Sequence, residues 1–304
     1  MQTEAQRRAT PARGFVVAEL LGMIKFSHTL FALPFALLGG ALASWSPTGW
    51  HGRGRDWLGI ILCMVTARSA AMAFNRLVDR DLDAANPRTA GRHLPAGRLS
   101  VAAVASFSVV AAAGFVLATA LFWPNPWPSI LAVPILAWLL GYSYAKRFTP
   151  WAHAWLGLAL AFAPVAAWIA LRGDLTWSPV ALGLAVLFWV GGFDVIYACQ
   201  DVAFDRARQL RSVPSWLGVA RALRLAALSH ALTVAALLAV GWIYPMGTTY
   251  FAGVAAVAAL LIYEHALVRP DDLTRVNLAF FQVNIAISLG LLIVGLADLW
   301  VRSA

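Results

Sequence analysis

Acidic residues are scarce in this chain, with only 14 Asp and Glu among 304 residues, against 23 Lys and Arg. Charged residues of all kinds make up 12%, about half the roughly 25% of a soluble domain. Cysteine is scarcer still. Cys63 and Cys199 both fall in apolar stretches, which excludes a disulfide framework and any cysteine-based metal spacing. The six histidines are scattered, with no HExxH pair. Walker and dinucleotide glycine loops are missing. The net charge of +9 raises the question of nucleic acid. No zinc finger or other nucleic-acid signature is present, and the basic residues lie between apolar runs, so no nucleic-acid partner is expected.

The remainder is mostly apolar. Hydrophobic residues reach 61% and mean hydropathy is +0.73, which points to the bilayer as solvent. A crossing helix needs roughly 20 mainly apolar residues. The sequence predicts an all-α membrane protein of about nine such spans. They run over Phe15–Ser44, Trp57–Asp79, Ser100–Phe122, Ser129–Tyr144, Trp151–Leu171, Trp177–Ala198, Val219–Trp242, Thr249–Val268 and Leu278–Val301. Residues 1–14 read as a disordered tail and residues 15–304 as one transmembrane domain. Arg7, Arg8 and Arg13 ahead of an apolar run imitate a signal peptide, but Lys25, His28 and Pro34 interrupt that run and many spans follow. Pro34 and Pro164 are candidate kinks.

Nine crossings put the termini on opposite sides. Arg53, Arg55, Arg172 and Arg302 then fall on one side, Arg68 inside a span, and every other Lys and Arg on the N-terminal side. The positive-inside rule makes that side cytoplasmic. Trp45, Trp50, Trp57, Trp123, Trp127, Trp168, Trp177, Trp242 and Trp300 gather at the opposite ends, as an interfacial belt would. Compact loops and the lack of targeting features suit a bacterial inner membrane. No protein partner is expected.

The few acids are concentrated. One segment reads Asn75-Arg-Leu-Val-Asp79-Arg-Asp81-Leu-Asp83, the other Asp194-Val-Ile-Tyr-Ala-Cys-Gln-Asp201-Val-Ala-Phe-Asp205. Each lies at the cytoplasmic end of an even-numbered span, so parity puts both on one side. At about 100° per residue, Asn75, Asp79 and Asp83 share a helix face, as do Asp194, Asp201 and Asp205. Asp81 breaks the first series. Two rows of hard oxygen ligands across a cavity suit magnesium, which keeps waters and substrate phosphates in its shell. The same acids also admit a plainer reading as helix ends paired with Arg76, Arg80, Arg206 and Arg208.

These segments resemble the two aspartate motifs of the UbiA superfamily of membrane prenyltransferases, NxxxDxxxD and DxxxxxxDxxxD. FSHTLFALPFALLGG, NPRTAGRHLPAGRLS and YSYAKRFT extend the likeness over nearly the whole chain. The resemblance implies a UbiA-like helical fold around a central cavity. It also implies transfer of a polyprenyl group from a prenyl diphosphate to an aromatic acid, with Mg2+ as cofactor. 4-Hydroxybenzoate is the expected acceptor, in quinone biosynthesis, and a hydroxynaphthoate in menaquinone biosynthesis is the runner-up. Asn75, Asp79 and Asp83 would hold one magnesium ion, Asp201 and Asp205 the other.

Further residues are candidates within that frame. Asp194, two turns deeper, would orient the acceptor phenol or take its proton; the plainer alternative is a buried acid paired with Arg68. Arg68, seven residues before Asn75, would grip the acceptor carboxylate or balance the aspartates. Lys146 is a candidate for the diphosphate, as is at least one of Arg88, Arg92 and Arg98 in a Pro- and Gly-rich loop, with Arg88 and Arg98 put first and Arg147 read as loop charge. Tyr197 and His28 would line the acceptor pocket or serve packing. Asp271, Asp272 and Arg275 read as a helix cap. Gly39, Gly40, Gly191 and Gly192 would allow close helix approach. A phosphatidyl transferase lacks its DGxxAR string here. An ion-coupled transporter would keep its charges near midplane, and these sit at one face.

Overall fold

The computed structural model describes residues 13–24, 31–46 and 49–302. Its helices are α1 (Arg13–Met23), α2 (Leu33–Ser44), α3 (Gly54–Val78), α4 (Arg80–Ala85), α5 (Val101–Phe122) and α6 (Trp127–Phe148). They continue as α7 (Ala152–Arg172), α8 (Trp177–Ala198), α9 (Val202–Ala207), α10 (Val213–Leu217), α11 (Val219–Ile243), α12 (Thr248–Leu267) and α13 (Val276–Val301). Two-residue strands Trp45–Ser46 and Gly49–Trp50 pair antiparallel after α2, with Trp45 opposite Trp50. Among the described residues, eight helices are long and apolar enough to cross a membrane. The protein is an integral membrane protein.

Local chemistry sets the helix ends. The Ser100 hydroxyl accepts from the Ala103 N–H at the start of α5, an N-cap that satisfies one orphan donor. Gly173, at φ 77°, ends α7 in the left-handed conformation that glycine reaches without strain. The first expected span needs correction. Phe15–Ser44 is not one helix, because α1 stops at Met23 and α2 starts at Leu33. Pro34 sits in the first turn of α2, where its missing N–H has no intrahelical partner to lose; it opens a helix rather than kinking one. At 12 residues, α2 rises roughly 18 Å, short of the roughly 30 Å hydrocarbon core. The tail read over residues 1–14 lies outside the described residues, except for Arg13 and Gly14, which open α1.

Helix α8 is the most buried of the long helices and packs between α7 and α11. On its other face α7 packs on α2, while α3 pairs with α5 and α12 with α13. Close backbone approach explains two glycines. A Cβ on Gly157 would meet the Leu187 carbonyl oxygen at 2.4 Å, and one on Gly39 would meet Pro164 O at 2.5 Å. A buried polar network ties α12 to α13: Asn284 donates to Glu264 and to the Ala279 and Phe280 carbonyls, and accepts from Trp189 Nε1 at 2.6 Å. It sits beside a π-helical turn over Ala279–Val283, which no sequence pattern announced. The tryptophan belt also needs adjustment. Trp50, Trp123, Trp127, Trp177, Trp242 and Trp300 are exposed, but Trp45 and Trp168 are buried around Tyr244.

Candidate active site

The two acidic segments fold alike. Helix α3 ends at Asp79 (φ −93°, ψ 9°), and the six-residue α4 follows. Helix α8 passes through a 3₁₀ turn, Cys199–Asp201, to Asp201 (φ −100°, ψ 5°), and the six-residue α9 follows. Both aspartates occupy the sparsely populated bridge region, a frequent setting for functional residues. Each short helix then buries an aspartate four residues on, Asp83 at 6% exposure and Asp205 at 2%.

The two segments meet across the mouth of a cavity of about 430 Å3. Asn75, Asp79 and Asp83 line it from one side, and Asp194, Tyr197, Asp201 and Asp205 from the other. Asn75 donates to Asp79 at 2.9 Å, and Arg147 donates to the other Asp79 oxygen at 3.0 Å. Burial raises the Asp79 carboxyl pKa, against the pull of that guanidinium. Arg92 donates to both oxygens of Asp83 at 2.7 and 2.8 Å, with Arg76 at 3.7 Å. Asp205 accepts from the Ser212 hydroxyl at 2.7 Å.

The segment after α4 spans the mouth. Asn86 donates to Asp201 at 3.2 Å, and Arg88 grips Asp201 bidentately, Nε to Oδ1 at 2.9 Å and Nη2 to Oδ2. A third Arg88 nitrogen donates to the Tyr197 hydroxyl at 2.9 Å. Burial works against the Arg88 charge, but the Asp201 hydrogen bonds outweigh it and its pKa is raised. Tyr197 packs on Phe280, ring centroids 4.2 Å apart.

Below the mouth the cavity is apolar. It follows α3 from Asp79 to Ile60, a rise of roughly 28 Å. Arg68 and Asn75 both line it, on one helix face as their spacing predicts. Arg68 is half-buried, and its buried Nε has no hydrogen-bond partner. Lys146 lines the head end, where its charge bears on Asp201 and Asp205. Among the described residues neither Arg68 nor Lys146 forms an ion pair, so these two of the cavity's cations are open to a substrate anion.

Several sequence readings need revision here. Arg98 does not line the cavity; it donates to Gly91 O and lies 3.6 Å from Glu19. Its loop neighbour Arg92 lines the cavity instead. Arg147 is not loop charge, since it pairs with Asp79. Asp194 pairs with His153 at 2.7 Å rather than with Arg68. Asp81 points away, 87% exposed beside Arg80. Asp271, Asp272 and Arg275 do not cap the last helix as read: Asp272 accepts from the Thr274 N–H within the loop, and Arg275 at the helix start makes no side-chain cap bond. His28 lies outside the described residues. Asn86 and His153 escaped the sequence because no local spacing links them to their aspartates.

Buried carboxylate rows over a greasy cavity in a helical membrane bundle define a membrane-embedded transferase of charged-headed lipids. The UbiA prenyltransferase family profile matches residues 32–287, and the chain belongs to that family. It is a prenyltransferase. Curated relatives include 4-hydroxybenzoate octaprenyltransferases from Tolumonas auensis, 33% identical over 71% of this chain and 75% of that protein, and Aromatoleum aromaticum, 31% identical over 72% and 74%. Among solved structures, an apo UbiA homologue from Aeropyrum pernix K1 superposes with a TM-score of 0.76 at 30% identity, covering 91% of this chain and 98% of that one. A UbiA homologue from Archaeoglobus fulgidus bound to DMAPP and Mg2+ shares the fold, with a TM-score of 0.73 at 18% identity, covering 93% and 99%. Family membership removes the phosphatidyl-transferase and transporter alternatives.

Proposed function

We propose that the protein transfers a polyprenyl group from a prenyl diphosphate to 4-hydroxybenzoate in quinone biosynthesis, with residues 15–304 acting as one catalytic unit. The observation that carries this reading is the pair of acid rows bridged by Asn86 and Arg88 over an apolar cavity that holds unpaired Arg68. The curated relatives support the acceptor.

The side chains fit magnesium. Asn75, Asp79, Asp83, Asp201 and Asp205 offer hard oxygen donors around one mouth. Among the described residues no three Asp, Glu, His or Cys stand close enough to hold an ion alone. That is the arrangement expected where water and diphosphate oxygens complete the shell. When bound, magnesium neutralises charge developing on the leaving diphosphate.

The protein groups divide the remaining work. Lys146 and Arg88 bind diphosphate oxygens as the C1–O bond breaks and the electron pair leaves with oxygen. The apolar cavity walls keep water from the allylic cation. Arg68 takes the acceptor carboxylate in a charge-assisted fork. Asp194 faces the acceptor hydroxyl and, with Tyr197, orients the ring. A ring carbon bonds to C1 and then releases its proton to the departed diphosphate. The loop charges support acid rows that face the cytoplasm of a bacterial inner membrane.

The test is transfer of labelled prenyl diphosphate in membranes holding the protein, with 4-hydroxybenzoate or a hydroxynaphthoate as acceptor. Product on 4-hydroxybenzoate that needs magnesium is the expected result. Product on the naphthoate alone would reassign the acceptor to menaquinone biosynthesis. No product from either acceptor would remove the reading of Arg68 as a carboxylate site.

A further inference from the structure

His153 lies outside the cavity lining, 2% exposed, at the start of α7. Two bonds fix it. Its Nδ1 is 2.7 Å from Asp194 Oδ2, and the Val213 backbone N–H points at its Nε2 from 3.3 Å. A backbone N–H can only donate, so Nε2 carries the lone pair. In the neutral ring the proton then sits on Nδ1 and is donated to Asp194. The tautomer follows from the neighbour on the far side of the ring, as it does wherever one imidazole nitrogen is committed. Asp194 Oδ1 has no hydrogen-bond partner among the described residues, and Asp194 lines the cavity.

The helix packing delivers this contact. Gly157, one turn after His153, lets α7 close on the Leu187 carbonyl of α8. On the facing helix, Gly191 leaves the His153 carbonyl ordinary room, since an added Cβ would sit at 3.8 Å from it. These close approaches bring two side chains 41 residues apart into contact.

Val213 is the neighbour of Ser212, whose hydroxyl holds Asp205 at 2.7 Å. Two consecutive residues at the start of α10 therefore anchor both ends of the site. One fixes an acid of the diphosphate mouth, and the next fixes the ring that holds Asp194.

We propose that His153 is a positioning residue, set by Val213, that ties one oxygen of Asp194 and presents the other to the hydroxyl of the aromatic acceptor. This rests on the reading of Asp194 as the acceptor-facing acid. The role concerns the acceptor first, with the prenyl diphosphate reached only indirectly through Ser212 and Asp205.

The experiment compares His153→Phe, His153→Asn, Asp194→Asn and the His153→Phe/Asp194→Asn double variant in membranes. It measures kcat and KM for each substrate, and separately the binding of prenyl diphosphate with no acceptor present. Phenylalanine fills the space without a donor, whereas asparagine puts an amide N–H near the place of Nδ1. His153→Phe is expected to lower kcat/KM for the acceptor by about 10- to 100-fold, the range for groups that orient a first-contact residue. Prenyl diphosphate binding changes much less than the acceptor kinetics, since His153 is outside the cavity lining, and His153→Asn recovers most of the loss. The double variant is no worse than Asp194→Asn alone, because the two residues act as one unit. Equal damage to both substrates, or a double variant much worse than either single one, would overturn the proposal and leave His153 a packing residue. Should Asp194→Asn itself leave acceptor kinetics unchanged, the reading of Asp194 fails, and the role of His153 with it. A damaging Asp194→Asn beside a harmless His153→Phe would sink only the proposal about His153.

Discussion

The two acidic segments are near copies in backbone and opposites in how they are held. Both break at an aspartate with φ near −95° and ψ near 7°, and both follow it with a six-residue helix burying a second aspartate. Arginines compensate the first segment heavily: Arg92 and Arg76 surround Asp83, and Arg147 holds Asp79. The second segment has Arg88 on Asp201 but only the neutral Ser212 hydroxyl bonded to Asp205. Geometry is thus shared while charge balance differs. A side chain that must give up a partner to bind substrate does so more easily when that partner is a hydroxyl than when it is two guanidinium groups.

The sharpest break of this comparison is removal of an acid from each segment. Asp83→Ala and Asp201→Ala should each lower prenyl transfer by on the order of 10³-fold, because each strands buried arginine charge and removes a ligand. Chelation by EDTA should reduce transfer to background and added magnesium restore it; turnover that survives EDTA would end the shared-diphosphate account. The arginines come next. Arg88→Ala should raise KM for prenyl diphosphate about 30-fold, or ~2 kcal/mol, since it unpins the bridge across the mouth. Arg92→Ala should act less, because Asp83 keeps Arg76; the reverse order would mean the first segment dominates binding. Ser212→Ala leaves Asp205 without its hydroxyl partner and should change the same KM only a few-fold, at ~1 kcal/mol. Asp81→Ala, on an exposed side chain, should fall within ~0.5 kcal/mol of the parent in thermal unfolding, with unchanged turnover.

The spans from α3 to α13 were legible because bilayer burial imposes apolar runs of set length. Trp177–Ala198 and Val219 as a helix start match the expected bounds. The first span misled because hydropathy alone does not see a helix restart at Pro34. The acid rows stood out for a different reason: in a chain with so few carboxylates, clustered ones are conspicuous. Contacts between rows were invisible. Nothing local joins Arg88 to Asp201 or His153 to Asp194, and only glycine-mediated helix approach makes the second contact possible. Arg92 and Arg98, six residues apart in one loop, could not be told apart before the loop had a shape.

The unequal pairing also sets an order of assembly. Asp83 meets Arg92 within nine residues, but Arg88 waits 113 residues for Asp201. At about 5–20 residues per second the interval is roughly 6–23 s of synthesis. Asp83 can meet Arg92 as soon as that short stretch has emerged, whereas the bridge closes only after α8 arrives.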